Sequence, residues 1–180
     1  VLSGQDVYTA PAATDRYPYL PLQMYWMGGA ARVAQVTGWP FGLLVKLAPI
    51  AADVGLVFLI RAMVQARGGS AASAFQAGLS YALHPVAVFV SAYHGQFDAI
   101  PLCLTFLAIG YMPAAPAWAG AWLGLAILDK SWPVLFVPNF LAALRGWRRR
   151  LLLLVTLAAA PIIGIAAYVV VHGEPAVALL

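Results

Sequence analysis

Residues 151–171 read LLLLVTLAAAPIIGIAAYVVV, an apolar run that contains no charged residue. A helix that crosses a bilayer needs about 20 mostly apolar residues, so this run is long enough to span a membrane once. Pro161 lies inside it, and a proline within a transmembrane helix is tolerated as a kink. The run therefore predicts an all-α protein embedded in a membrane.

The composition extends this prediction to the whole chain. Of its 180 residues, 63% are hydrophobic and only 9% are charged, and the mean hydropathy is +0.86. A soluble domain carries roughly 25% charged residues, so a water-facing surface cannot be built from this inventory. In a soluble protein, the net charge of +4 would suggest nucleic-acid binding. Here the basic residues cluster between apolar runs, which is typical of the cytoplasmic loops of membrane proteins. Cys103 is the single cysteine, which excludes an internal disulfide.

The apolar segments predict a polytopic helix bundle over residues 41–180, with about six spans. A turn is expected at the Pro-rich stretch MPAAPA (112–117). DKSWP (129–133) either lies inside a long helix or forms a second turn, and the placement of the basic loops favours the turn. With both turns in place, Arg67 and RGWRRR (145–150) face the cytoplasm, as the positive-inside rule requires. The predicted spans are 41–60, 70–92, 99–112, 117–129, 132–144 and 151–171.

Residues 1–40 are predicted to form an external loop that contains an interfacial helix at 20–37. Tyr25 and Trp26 would lie at the depth of the lipid headgroups. The chain shows no signal peptide and both ends look cut, so we expect an internal segment of a longer protein. His84 precedes Pro85 within an apolar run and is expected to be a packed helix residue.

The sequence YHGQFD (93–98) falls on the predicted non-cytoplasmic side, level with DKSW. If the helix that begins near Phe97 extends backward, His94 and Asp98 lie on one face, and the carboxylate fixes the imidazole tautomer. One interpretation is a site for phosphate or sugar hydroxyls. The other is an ordinary polar loop, with Asp98 at the positive end of the next helix.

Other polar residues allow two interpretations each. Lys130 offers a compact positive charge for a phosphate, or belongs with Asp129 to a hydrated turn. Asp53 lies within a span, where a charge costs at least about 2.5–3.5 kcal/mol, so a partner for its carboxylate is expected. Lys46 is too far from Asp53 along the helix to be that partner. Arg16 precedes an aromatic–proline segment that either contacts a sugar or anchors the chain at the interface.

Four segments resemble, in order, the GT-C glycosyltransferases, polytopic enzymes that take a sugar from a polyprenyl-phosphate carrier. The likeness is greatest to the glucosyltransferases that extend the dolichol-linked oligosaccharide and to their bacterial relatives. The segments are DRYPYLP (15–21), AADVGLVFLI (51–60), HPVAVFVSAYHGQFDAI (84–100) and LGLAILDKSWPVLFVPNF (123–140).

The resemblance implies a role for several of these residues. Tyr17 falls in a Tyr-Pro segment that lacks the family's second proline, and Asp53 matches the aspartate of the next span. His94, Gln96 and Lys130 would bind the phosphate side of the donor, and Asp98 would orient His94 or contact sugar hydroxyls. The family's catalytic base lies before the Tyr-Pro segment, and neither Asp6 nor Asp15 sits in the usual acidic motif, so the base is not assigned.

The implied activity is the inverting transfer of a hexose, glucose or mannose, to a glycan or lipid-linked acceptor on the non-cytoplasmic face. The enzyme would reside in a bacterial plasma membrane or in the endoplasmic reticulum. The implied partners are membrane lipid, the lipid-linked donor and the acceptor, without nucleic acid; no cofactor is certain and a metal requirement is left open. The alternatives are a secondary transporter that uses Asp53, His94 and Lys130, and a non-catalytic scaffold.

Overall fold

The computed structural model describes residues 21–172, which fold into helices joined by short turns with no strand among them. This confirms the all-α class. The helical elements are α1 (Pro21–Thr37), α2 (Phe41–Ala66), α3 (Ala71–Ala82), α4 (Pro85–Ala87), a π-helical segment (Val88–His94), α5 (Ala99–Tyr111), α6 (Pro116–Asp129), a 3₁₀ segment (Trp132–Phe136), α7 (Val137–Ala143) and α8 (Trp147–His172).

Two described helices are long and apolar enough to cross a membrane, Phe41–Ala66 and Trp147–Val170. Pro161 lies inside the second without ending it, as the sequence predicts. The other predicted spans correspond to shorter helices. About six full spans are therefore not confirmed, although the predicted order of apolar segments is present.

The predicted span at 70–92 is broken at His84. A proline disfavours the helical conformation of the residue before it, and His84, which precedes Pro85, is extended with φ −67° and ψ 121°. Its Nδ1 atom accepts a 3.3 Å hydrogen bond from the Val86 N–H, and its side chain is exposed. The prediction that His84 is a packed helix residue is therefore wrong; it caps the short helix α4.

Both predicted turns are present. The chain turns between α5 and α6 within MPAAPA, and α6 ends where Lys130 becomes extended with φ −144° and ψ 144°. Arg149 Nη2 donates to the Met112 carbonyl over 3.3 Å and also to the Pro113 carbonyl. These hydrogen bonds place RGWRRR and the MPAAPA turn at the same end of the bundle.

The most extensive helix contact joins α6 to α8, and glycines allow it. A Cβ atom on Gly120 would lie 2.3 Å from the Leu153 carbonyl oxygen, and one on Gly124 would lie 2.3 Å from that of Leu157. Two small residues spaced four apart let membrane helices pack backbone against backbone. On its other face α6 packs against α5, which packs in turn on α2, and α1 contacts α2, α6 and α8.

This order of helices gathers the polar motifs at one end of the bundle. The start of α2 meets the 93–98 turn through a Lys46–Tyr93 hydrogen bond, and the end of α6 meets it through a Lys130–Asp98 ion pair. The Arg149 contacts described above lie at the opposite end, where α5 finishes and α8 begins.

Candidate functional site

The YHGQFD sequence forms a turn between two helical segments. The π-helical segment ends at His94, and Gly95 adopts a left-handed conformation with φ +76°. The N–H groups of Gly95 and Gln96 both donate to the Val90 carbonyl, which closes the segment as glycine caps commonly do. Asp98 stands immediately before α5. The helix does not extend backward from Phe97, so His94 and Asp98 do not share a helix face.

Asp98 is paired with Lys130 instead. Lys130 Nζ lies 2.7 Å from Asp98 Oδ1, a charge-assisted hydrogen bond between side chains that are 39% (Asp98) and 17% (Lys130) exposed. The pair forms because α5 begins and antiparallel α6 ends at the same end of the bundle. The sequence predicted both residues as site residues but not their pairing.

His94 and Gln96 lie on the outer side of the turn. Both side chains are exposed, and neither makes a side-chain hydrogen bond to another residue within 21–172. Tyr93 is also exposed, at 75%, and its ring packs edge-on against Phe89 at 5.9 Å. An imidazole, an amide and a phenol are therefore available to a molecule that approaches this end of the bundle.

Lys46 is a site residue that the sequence reasoning missed. Its Nζ donates a 2.8 Å hydrogen bond to the Tyr93 carbonyl, and its side chain lies against Gly95. The signal was a lysine near the start of an otherwise apolar helix, where a charge is unfavourable without a partner. The partner of Lys46 lies in the 93–98 turn and not at Asp53, the other ionisable residue near it on α2.

Asp129 lies behind Lys130 and is buried, with 2% of its surface exposed. Gln23 of α1 is equally buried beside it, and Asp129 Oδ2 and both polar atoms of the Gln23 amide lack a hydrogen bond of normal geometry. The hydrated-turn interpretation of DKSW therefore does not describe Asp129. Helix α1 covers this carboxyl group, a contact that depends on the tertiary fold.

Asp53 has the partner that its position requires. The Tyr81 hydroxyl donates a 2.6 Å hydrogen bond to Asp53 Oδ1. The two residues line an open, mainly apolar cleft of about 190 Å³ between α2, α3 and the π-helical segment. They also line a second cleft of about 120 Å³, whose wall includes Ser91 and Asp98 and which therefore reaches the 93–98 turn.

Two predicted site residues, Arg16 and Tyr17, lie outside the described residues, as do Asp6 and Asp15. Within residues 21–172, no three histidine, cysteine or acidic side chains are grouped so that they could hold a metal ion. The charged groups at the turn in this part of the chain include the Lys130–Asp98 pair, Lys46 and the buried Asp129.

The family comparison is consistent with this architecture. The model of Glycosyltransferase family 87 matches residues 25–174, a region that includes the 93–98 turn and both lysines. No curated protein and no solved structure gives a significant match to the chain. Since the match spans most of the sequence, the chain belongs to glycosyltransferase family 87, a GT-C-type family of membrane glycosyltransferases.

Proposed function

We propose that this membrane glycosyltransferase takes a hexose, glucose or mannose, from a polyprenyl-phosphate carrier and inverts the anomeric carbon on transfer. The acceptor is a glycan or a lipid-linked glycan on the non-cytoplasmic face. The observation that carries the proposal is the Lys130–Asp98 ion pair beside the 93–98 turn, at the mouth of an apolar cleft.

The charge of Lys130 suits a phosphate leaving group. A polyprenyl-phosphate sugar is a phosphodiester with one negative charge, and the departing phosphate gains further charge as the glycosidic bond breaks. A fixed cation beside that phosphate stabilises the transition state more than the ground state, which is how binding energy raises a rate. Asp98 keeps the flexible lysine side chain in place before the donor arrives.

The cleft suits a carrier that is a lipid. Besides Asp53, Tyr81, Ser91 and Asp98, its wall consists of apolar residues: Val86, Ala87, Val90, Ala99 and Leu102. An isoprenoid chain in this cleft would place its phosphate near Lys130. The exposed His94 and Gln96 would then contact the phosphate or the sugar, and we assign Arg16 and Tyr17 of the external segment to the donor as well.

The secondary transporter is not favoured. Membership of a glycosyltransferase family indicates group transfer. Transporters place their ionisable groups near the bilayer midplane at the interface of repeated halves. Here His94, Asp98, Lys46 and Lys130 lie at one end of the bundle.

The test is transfer by the full-length protein in lipid nanodiscs. Synthetic polyprenyl-phosphate glucose and mannose are offered beside nucleotide sugars of the same hexoses, and the anomeric configuration of the product is determined by NMR. We expect transfer from a polyprenyl-phosphate hexose with inversion. Transfer from nucleotide sugars alone, or a product that retains the configuration, would contradict the proposal.

Lys130 is tested in the same assay. Lys130→Met removes the charge and keeps the length of the side chain, so we expect kcat to fall about 100-fold, as for the loss of one preorganised donor. Lys130→Arg keeps the charge and should retain more activity. Arg67→Met, which removes a charge from the opposite end of the bundle, is the control and should leave kcat within about twofold of wild type, since surface substitutions have small effects.

A further inference from the structure

Lys46 occupies an unexpected position for a lysine on an apolar helix. It is half-buried near the start of α2, where a long side chain could extend outward to the lipid headgroups. Instead it crosses to the 93–98 turn, where its Nζ donates to the Tyr93 carbonyl over 2.8 Å. Its ammonium group is therefore held at the backbone of the 93–98 turn.

Gly95 is adapted to this crossing. A Cβ atom at position 95 would lie 3.2 Å from Lys46 Cε and 3.3 Å from Lys46 Cγ, tighter than ordinary van der Waals contact. The φ of +76° also favours glycine over other residues. The aliphatic part of the Lys46 side chain therefore packs directly against the backbone of Gly95, at a position where any larger residue would be crowded.

The hydrogen bond to Tyr93 does not by itself call for a charge. A carbonyl also accepts from a neutral donor, and an ammonium group has three N–H bonds, of which this contact uses one. Within residues 21–172, no carboxylate forms an ion pair with Lys46. Lys46 is therefore a cation of the turn that is separate from the Lys130–Asp98 ion pair.

We propose that Lys46 is a second phosphate-binding residue of this site. It turns from the Tyr93 carbonyl to the phosphate of the lipid-linked sugar, and it holds that phosphate together with Lys130. This inference rests on the proposed donor class. It adds that the leaving polyprenyl phosphate, which carries more charge than the donor, binds through two lysines from different helices.

The experiment measures binding, separately from turnover. Farnesyl phosphate serves as a short polyprenyl monophosphate and farnesol as its uncharged counterpart, and the dissociation constant of each is determined with the full-length protein in nanodiscs. The variants are Lys46→Met, which removes charge and donor, Lys46→Gln, which keeps a neutral donor, and Lys46→Arg, which keeps the charge. Arg67→Met, which removes a charge at the opposite end of α2, is the control for charge loss.

We expect Lys46→Met and Lys46→Gln to weaken farnesyl phosphate binding by about tenfold or more, the effect of losing one hydrogen bond to a charged group. Lys46→Arg should stay near wild type, and farnesol binding and the melting temperature should change little. If Lys46 only caps the helical segment, Lys46→Met weakens both ligands and lowers the melting temperature, while Lys46→Gln restores both. That result would overturn the inference.

The results differ if the proposed donor class, rather than the role of Lys46, is wrong. A wild-type protein that transfers from polyprenyl-phosphate hexoses, but whose farnesyl phosphate affinity is the same with and without the Lys46 charge, overturns the role of Lys46 alone. A wild-type protein that neither binds farnesyl phosphate nor uses a polyprenyl-phosphate donor overturns the proposed function, and the role of Lys46 with it.

Discussion

Asp53 shows how a single ionisable residue is accommodated in an apolar helix. Its Oδ1 atom accepts a 2.6 Å hydrogen bond from the Tyr81 hydroxyl, which comes from α3 across the helix contact. A carboxyl group without a partner in this setting is unfavourable, so the phenol stabilises both the side chain and the packing of α3 on α2. The partner was expected from the sequence, but its identity depends on how α3 lies against α2.

Replacing Tyr81 should therefore destabilise the protein through Asp53. We expect Tyr81→Phe to lower the free energy of unfolding by about 1–3 kcal/mol, because the carboxyl group loses its donor and stays partly buried. The measurement is reversible unfolding in detergent for a double-mutant cycle with Asp53→Ala. Coupling between the two positions is expected; if Tyr81→Phe costs the same with and without the Asp53 carboxyl, the interaction contributes nothing.

At the 93–98 turn, the sequence singled out Asp98 and Lys130 but did not predict the contacts that they and Lys46 make. Asp98 and Lys130 follow from their polar setting and from the family resemblance, yet their 2.7 Å contact joins positions 32 apart in sequence. The predicted His94–Asp98 face failed because Gly95 ends one helical segment there. Lys46 was missed since its partner Tyr93 lies 47 residues away, and only the packing of α2 on the turn reveals it.

At the scale of whole elements, proline predicted the MPAAPA turn, whereas the DKSWP turn was predicted from the placement of the basic loops. Both turns are present. The break at His84 carried the same signal in Pro85, but the apolar character of 70–92 outweighed it in the prediction. The π-helical hydrogen bonds of Val88–His94 left no mark in the sequence that distinguishes them from an α-helix.

Gly124, in the α6–α8 contact, and Gly110, outside it, are expected to respond in opposite ways to alanine. Gly124→Ala places a methyl group 2.3 Å from the Leu157 carbonyl oxygen, so the helices must separate. We expect a loss of about 1–3 kcal/mol in unfolding free energy, as for other overpacked sites. Gly110→Ala in α5 meets no atom within 4 Å and should be neutral or stabilising by up to about 1 kcal/mol.

Thermal unfolding of both variants in the same detergent makes the comparison. The Gly110 variant controls for the general effect of alanine on a helix, since both glycines lie in helices. Equal melting temperatures for the two variants would show that the close approach of α6 to α8 contributes no stability.

At the scale of the molecule, charge separates the two ends of the bundle. The 93–98 turn and both lysines lie at one end, while the arginines of RGWRRR lie at the other, where Arg149 is tied to the MPAAPA turn. Loops rich in arginine and lysine stay in the cytoplasm. The candidate site is therefore expected on the non-cytoplasmic face, where a lipid-linked sugar and a glycan acceptor would meet.

Sidedness is tested by cysteine labelling in the full-length protein with Cys103, the single cysteine of residues 1–180, and any cysteine outside these residues replaced by serine. Gln96→Cys and Arg148→Cys report on the two ends because both side chains are exposed. A membrane-impermeant maleimide should label Gln96→Cys on intact cells, whereas Arg148→Cys should react only after permeabilisation. Arg145, Arg149 and Arg150 keep the loop basic in the second variant, so the substitution should not itself reorient the chain. The reverse labelling pattern would place the 93–98 turn in the cytoplasm. It would exclude transfer on the non-cytoplasmic face for any sugar donor.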